Sequence, residues 1–202
     1  MSKIVFSEGE RDVHFMRKFF EKYHDNPRLD QLVIGNVSRD DLPHKESDKI
    51  RSFLGGWNDD NLLVKSENGK PNLKTGFSVV IRDLATKPVE KYLLVDLDTT
   101  EIDGFVDDIR ERVRQHHRGA GLRIGETEHL GRCHEMVARE VTLENERGSD
   151  PRTGFTILAF REDLETAASI DKEEDGPEEQ AQKLSSLLDG GSFDRLLQQT
   201  LL

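Results

Sequence analysis

Short apolar runs alternate with longer stripes of apolar positions along this chain. Lys3 to Ser7, Leu62-Leu63-Val64, Tyr92-Leu93-Leu94-Val95 and Phe155 to Phe160 are compact runs bounded by polar or turn residues. Runs of this length read as strands buried on both faces, as in a parallel sheet. Leu32-Val33-Ile34 and Leu122-Arg123-Ile124 are further candidate strands. Helical spacing appears between them. Val13, Met16, Phe19 and Phe20 form one stripe from Asp12 to about His24, and Phe105, Val106, Ile109 and Val113 form another from Asp103 to His117. Asp12 and Asp103 suit the cap or first turn of these helices. Leu73, Phe77, Val80, Ile81 and Leu84 predict a helix over 72–86 ended by Pro88, although the β-branched pair Val79-Val80 leaves a hairpin into 77–81 as the alternative. Glu128 to Val141, with Leu130, Met136 and Val137, reads as a helix, and 144–153 as a charged loop.

This order of strand and helix predicts an α/β domain over 1–170, an open, mostly parallel sheet flanked by helices. Residues 35–60 fit least well and read as an insertion, with a short helix over 46–54 and a turn at 55–60. Residues 171–179 form an acidic linker, and 180–202 a helical C-terminal extension. That extension holds Leu184, Leu187 and Leu188, then Phe193, Leu196, Leu197, Leu201 and Leu202. These are two short amphipathic helices, either folded back on the core or offered to a partner.

Composition narrows the class. The chain has 202 residues, suited to one domain with appendages. No apolar run approaches the roughly 20 residues that span a bilayer, and charge arrives too early at the start for a signal peptide. Cys133 is the single cysteine, so an intrachain disulfide is excluded. A cytoplasmic protein with no membrane partner is expected. The net charge is -11, with 40 acidic against 29 basic residues. That balance opposes nucleic-acid binding unless the carboxylates cluster and leave a local basic face.

The carboxylates do cluster by position. Glu8 with Asp12, Asp96 with Asp98, and Glu162 with Glu165 each follow a predicted strand. In a parallel sheet those strands end on one side, and right-handed crossovers bring their ends towards one crevice. Carboxylates gathered there repel one another unless a cation such as Mg²⁺ sits among them. For the Asp-x-Asp alone, a solvated loop is the competing reading. Lys70 and Lys74 lie where a basic residue reaches a phosphate, but solvated lysines are the commoner case. His129 and Cys133, four apart on the predicted helix, lack a second clustered pair to complete a zinc site. His14 reads as structural and Trp57 as packing.

Ile4-Val5-Phe6-Ser7-Glu8-Gly9-Glu10-Arg11-Asp12 resembles the first motif of the Toprim fold, a strand followed by Glu-Gly-x-x-Asp and a helix. Leu93-Leu94-Val95-Asp96-Leu97-Asp98 resembles its second, strand–Asp-x-Asp. Phe155 to Glu165 is similar, more faintly, to the late strand–Arg–Glu–x–x–Glu segment of Toprim nucleases of the OLD type. The resemblance spans roughly residues 3–165 and implies a Toprim-like domain working on phosphodiesters. It implies Glu8 as general acid/base or ligand, with Asp96 and Asp98 catalytic and holding Mg²⁺ or Mn²⁺. Asp12 and Glu165 would be further metal ligands. Tyr23 and Tyr92 are the two tyrosines, and neither sits in a topoisomerase-like domain. Zinc-binding cysteines of a bacterial primase and a Walker A loop are missing too. What remains is a stand-alone nuclease of DNA or RNA, or a nuclease subunit. The alternative is a non-catalytic module whose helical tail binds an ATPase or a second copy of the chain. Phosphoryl transfer to a small molecule is a third expectation.

Overall fold

A computed structural model describes residues 2–23, 33–34, 62–87, 89–98, 100–119, 121–145 and 153–202. The insertion expected at 35–60, with its short helix and Trp57, lies outside the described residues, as do Leu32, Pro88 and 146–152 of the charged loop. The chain opens with β1 (Ser2–Ser7), α1 (Glu10–Tyr23), β2 (Val33–Ile34), β3 (Leu62–Ser66), α2 (Lys70–Ala85), β4 (Val89–Asp96) and α3 (Ile102–His116). It continues through β5 (Leu122–Arg132), β6 (Met136–Asn145), β7 (Thr153–Phe160), α4 (Leu164–Ala167), α5 (Pro177–Leu187) and α6 (Ser192–Leu201). The strands form one mixed sheet in the order β2-β3-β1-β4-β7-β6-β5. β2, β3, β1, β4 and β7 run parallel, while β6 is antiparallel to both β7 and β5.

The central strands are apolar on both faces because helices cover both. Ile4, Phe6, Leu63, Leu93, Val95, Ile157 and Ala159 point to the side closed by α2 and α3. Val5, Leu62, Val64, Tyr92, Leu94, Leu158 and Phe160 point to the side closed by α1, α5 and α6. This period of two within unbroken apolar runs is what doubly covered parallel strands require.

Two elements differ from expectation. Residues 128–141 are not a helix but the end of β5, a turn and most of β6. The helical reading counted Leu130, which is 43% exposed. The pattern that governs is alternation: Val137, Val141 and Leu143 join the α2–α3 side, and Met136 and Ala138 the other. Pairing to β7 from Met136–Phe160 to Leu143–Thr153 fixes it, so tertiary pairing overrides the weak helical periodicity. The second difference is α3. It starts at Ile102 with Glu101 at the cap position, so Asp103 lies in the first turn and is not the cap.

The acidic segment 171–179 is mostly exposed and is ordered by local hydrogen bonds. Asp175 accepts from the Asp171 N–H and pairs with Lys183 at 2.6 Å, and α5 begins at Pro177. The C-terminal helices fold back on the domain. Phe193 stacks on Phe160 at 5.7 Å between ring centroids and meets Phe15 at 5.8 Å. Gly131 leaves room for Leu196, whose Cδ1 would lie 2.6 Å from a Cβ there. Tyr23 donates to Asp194 at 2.5 Å, which ties α1 to α6.

Two stability predictions follow from this packing. Leu197 is fully buried, so Leu197→Ala is expected to cost about 2–5 kcal/mol in denaturant unfolding; a change within ~0.5 kcal/mol would mean that the tail is not part of the core. Gly76 lies against the buried Glu67, with an added Cβ 3.0 Å from its Oε1. Glu67 is held by its ion pair to the equally buried Lys65, which resists the shift that an added methyl would require. Gly76→Ala is therefore expected to cost roughly 1–3 kcal/mol by overpacking, read as a lower thermal midpoint.

Candidate functional site

β1 and β4 are neighbours and parallel, with Ser7 in register with Leu94. The first residue past β1 is therefore carried to the end of β4. Glu8 Oε1 accepts a hydrogen bond from the Asp96 backbone N–H at 3.0 Å. The two acidic motifs, 88 positions apart in sequence, thus meet through a single bond. β7 ends at the same edge, where Asp96 pairs with Phe160.

Each surrounding residue has a local reason for its place. Asp12 Oδ2 accepts from the N–H of Glu8 at 3.0 Å and of Gly9 at 2.9 Å. Asp12 therefore closes the turn from β1 into α1, and its buried carboxylate serves the backbone first. Asp98 takes a left-handed backbone, φ 52, which Asp tolerates better than most residues. Its N–H donates to the Glu162 carbonyl at 3.1 Å, so the loops after β4 and β7 are joined. The turn before α2 uses Asn68 (φ 56) and Gly69 (φ 110), and the Gly69 N–H donates to the Glu8 carbonyl at 2.7 Å. That seats Lys70 above the edge. Its Nζ lies 2.5 Å from Asp98 Oδ2 and 3.9 Å from Glu8 Oε1.

Glu165 sits on the flank and is engaged elsewhere. Arg11 Nη1 reaches its Oε1 at 2.5 Å and Lys172 Nζ at 3.0 Å. Asp163 was not foreseen as part of the site. It caps α4 by accepting from the Thr166 N–H at 2.6 Å. Lys74 pairs with Asp108 at 2.6 Å instead of reaching the edge. His129 and Cys133 lie on and just past a strand, which removes the helical spacing behind a zinc pair. His117 is buried, with Nε2 2.7 Å from the Ser78 carbonyl, a structural contact between α3 and α2.

The electrostatics of this edge are strained towards the neutral acids. Burial pushes the Asp96 carboxyl up to about 8, and the charges of Asp12, Glu8, Glu165 and Asp163 add to the rise. Burial likewise pushes Asp12 up to about 7, against the two backbone N–H donors that favour its ionised form. Glu8 is raised by burial as well, offset in part by the Asp96 N–H and by the charge of Lys70. Glu165 goes the other way. Burial opposes its ionisation, but hydrogen bonds from Arg11 and Lys172 outweigh that and hold it below the usual range.

A hard cation fits this chemistry. Asp96 Oδ1 is buried without a hydrogen-bond partner. An orphaned, desolvated acceptor beside further carboxylates is an environment that an oxygen-ligated ion relieves. Among the described residues, no three His, Cys, Asp or Glu side chains already converge closely enough to hold one. Asp98 stands off with Lys70, Asp12 with its backbone donors, and Glu165 with Arg11. Asp96 has the least to give up, and Glu8 and Asp98 would each have to share an oxygen already held by the Asp96 N–H or by Lys70. Comparison of the chain with known families, with curated proteins and with solved structures returned no match.

The pH dependence has a definite sign. Asp96 and Asp12 hold their protons more tightly when folded than when unfolded. Their contribution to stability is complete below the ordinary Asp range, near pH 4, and is lost as pH rises through about 7 and 8. In chelator, the thermal midpoint should fall across that window, and Asp96→Asn should flatten the fall. Mg²⁺ should raise the midpoint more at the top of the window than at the bottom. A midpoint that climbs from pH 5 to pH 8 in chelator would contradict this account.

Proposed function

We propose that this protein is a Toprim-type nuclease, or the nuclease subunit of a larger assembly, that hydrolyses phosphodiesters of nucleic acid with Mg²⁺ or Mn²⁺. One observation carries the reading: Glu8 of the first acidic motif bonds to the backbone of Asp96 in the second, beside an Asp96 oxygen that has no partner. The class of fold agrees, since helices flank a mostly parallel sheet and the acids gather at the carboxyl ends of its strands. No helix among the described residues is long and apolar enough to cross a membrane.

Glu8, Asp96 and Asp98 would hold the ion, which when bound would neutralise phosphate charge and make a nearby water more acidic. Asp96 is the fixed member, because β4 and the Glu8 contact set its backbone. Glu8 has a raised proton affinity, the property a residue needs to take a proton from water and return one to a leaving oxygen near neutral pH. Lys70 gives the edge a positive charge that moves with its side chain. It spans Asp98 and Glu8 and can turn from Asp98, which is 65% exposed, to a phosphate oxygen. Asp12 keeps the Glu8–Gly9 turn closed, a positioning role.

Strand passage through a tyrosine has no support. Tyr23 is bonded to Asp194, and Tyr92 is buried and donates to Glu90 and to the Thr200 carbonyl. The rival reading, a module that docks an ATPase or a second copy through its leucine-rich tail, has less apolar surface to use: Leu184, Leu188, Leu196, Leu197 and Leu201 are buried within this chain, while Leu202 is exposed.

Incubation of the protein with plasmid and with single-stranded DNA and RNA should show cleavage that needs Mg²⁺ or Mn²⁺. Asp96→Ala and Glu8→Ala should each lower the rate by at least ~100-fold, a typical scale for losing an acid–base group, without unfolding the protein. Activity at the wild-type level in either variant rules out the mechanism. Metal binding by calorimetry with no cleavage of any nucleic acid points to phosphoryl transfer on a small molecule instead.

A further inference from the structure

We propose that the cleft beside the acidic edge is a track for the phosphodiester backbone of a single nucleic-acid strand. This rests on the nuclease reading and names the form of substrate that site would take. The cleft has a volume of about 800 Å³ and runs from Asp98 and Glu162 to the β5–β6 turn. Its far wall carries Arg132, His134, Arg139 and Arg161. The sheet explains the meeting. Asp96 and Met136 both pair with Phe160, so the turn between β5 and β6 lies at the same edge as Asp96. At ~4.8 Å per strand, the turn stands about 10 Å from the acids. The Arg161 N–H donates to the Glu135 carbonyl at 2.8 Å and locks the end of β7 to this turn.

The charges on that wall are available. Arg11, Arg17, Arg110, Arg114 and Arg123 are each paired with a carboxylate. Arg132 and Arg161 are exposed, and among the described residues no carboxylate lies within ion-pair distance of either. Arg139 makes one long contact, 3.6 Å to Asp103, and its Nε has no acceptor. Guanidinium groups are suited to bidentate phosphate binding. Of the five carboxylates that line the cleft, Asp98 is paired with Lys70 and Asp163 accepts from the Thr166 N–H, while Glu101, Glu135 and Glu162 stand beside the arginines. The arginines thus stand across the cleft from Asp98, the member of the acidic edge that lines it, which suits a strand whose phosphates run along the arginines and whose scissile bond faces Asp98.

Size sets the form of the substrate. A cleft of this volume encloses a molecule of small-ligand size. Duplex DNA, with a major groove broad enough to admit a whole α-helix, is far bulkier than such a ligand. No Phe, Tyr or Trp lines the cleft, so its rings are those of His129 and His134. Binding should then be electrostatic and indifferent to sequence, with a steep salt dependence.

The test is fluorescence anisotropy with a short labelled single-stranded oligonucleotide, in chelator so that nothing is cleaved. Arg132→Gln combined with Arg161→Gln should weaken binding at least ~10-fold at low salt. It should also make the slope of log K against log salt shallower by about 1.4, from two phosphate contacts at ~0.7 each. Arg82→Gln with Arg118→Gln removes the same charge at the ends of α2 and α3, on the opposite edge of the sheet, and should leave affinity within ~2-fold. An equal loss in both double variants, wild-type affinity in the cleft variant, or tighter binding of duplex than of single strand would each overturn the proposal. If the cleft variant alone loses binding but wild-type protein cleaves nothing with any metal, the track stands and the nuclease reading fails. If wild type cleaves and the cleft variant cleaves limiting substrate equally fast, the track fails and the nuclease reading stands.

Discussion

The hydrogen bond from the Asp96 backbone to Glu8 is the contact on which the site depends. It exists because β1 and β4 are adjacent and parallel, which makes their carboxyl ends neighbours. The same pairing creates the main electrostatic cost of the structure, acids gathered in a place that burial makes unfavourable for charge. Repulsion of this kind is relieved by protonation, by a basic side chain or by an ion. Lys70 relieves the exposed side through Asp98, and Arg11 relieves the flank through Glu165. Neither reaches Asp96 Oδ1, which remains without a partner.

Holding such an edge requires a rigid support, and the fold provides it from both sides. α2 and α3 close one face of the sheet, while α1 and the two C-terminal helices close the other. Phe160, the residue level with Asp96 in the sheet, stacks on Phe193 of α6. The tail therefore buttresses the strand beside the site, and its leucines face this chain's own core. Asp12 adds a local brace by capping the N–H groups of Glu8 and Gly9. Fixed backbone and movable Lys70 divide the work: geometry is set by strands, and charge balance by a side chain free to turn.

Much of this was legible in the sequence, and the reason is physical. β1, β3, β4 and β7 are covered on both faces, so each reads as an unbroken apolar run that no other element imitates at that length. Their order then implied one edge for Glu8, Asp96 and Glu162. The β5–β6 hairpin was not legible. One of its strands is an edge strand with largely exposed side chains, and bulges shift its register at Ile124/Thr127 and His129/Gly131. Alternation was blurred, and Leu130, Met136 and Val137 fell by chance near helical spacing. Asp12 and Glu165 were legible as acids near this edge, but what they bind there was not. Backbone donors and Arg11 are contacts that spacing does not report. Arg161 entered only as the arginine of the late motif, and Arg132 was not singled out, since only strand pairing brings it to the edge that holds Asp96.

A net charge of -11 by itself opposes the approach of nucleic acid. Screening changes the comparison. At physiological salt, exposed charges act over about 8 Å, so a phosphate responds to the wall it touches more than to the whole chain. Along the edge of the sheet, the acids of β1 and β4 are followed by the guanidiniums beside β7 and the β5–β6 turn. The first group repels a phosphate until a divalent ion joins it, and the second attracts one throughout. A strand drawn to the arginines without metal would be held next to, but not within, the acidic pocket. Ion binding would then offset most of the negative charge of Glu8, Asp96 and Asp98 and let the strand settle. If the proposed track and ion hold, the net negative charge of the chain would make strand entry depend on metal without barring it.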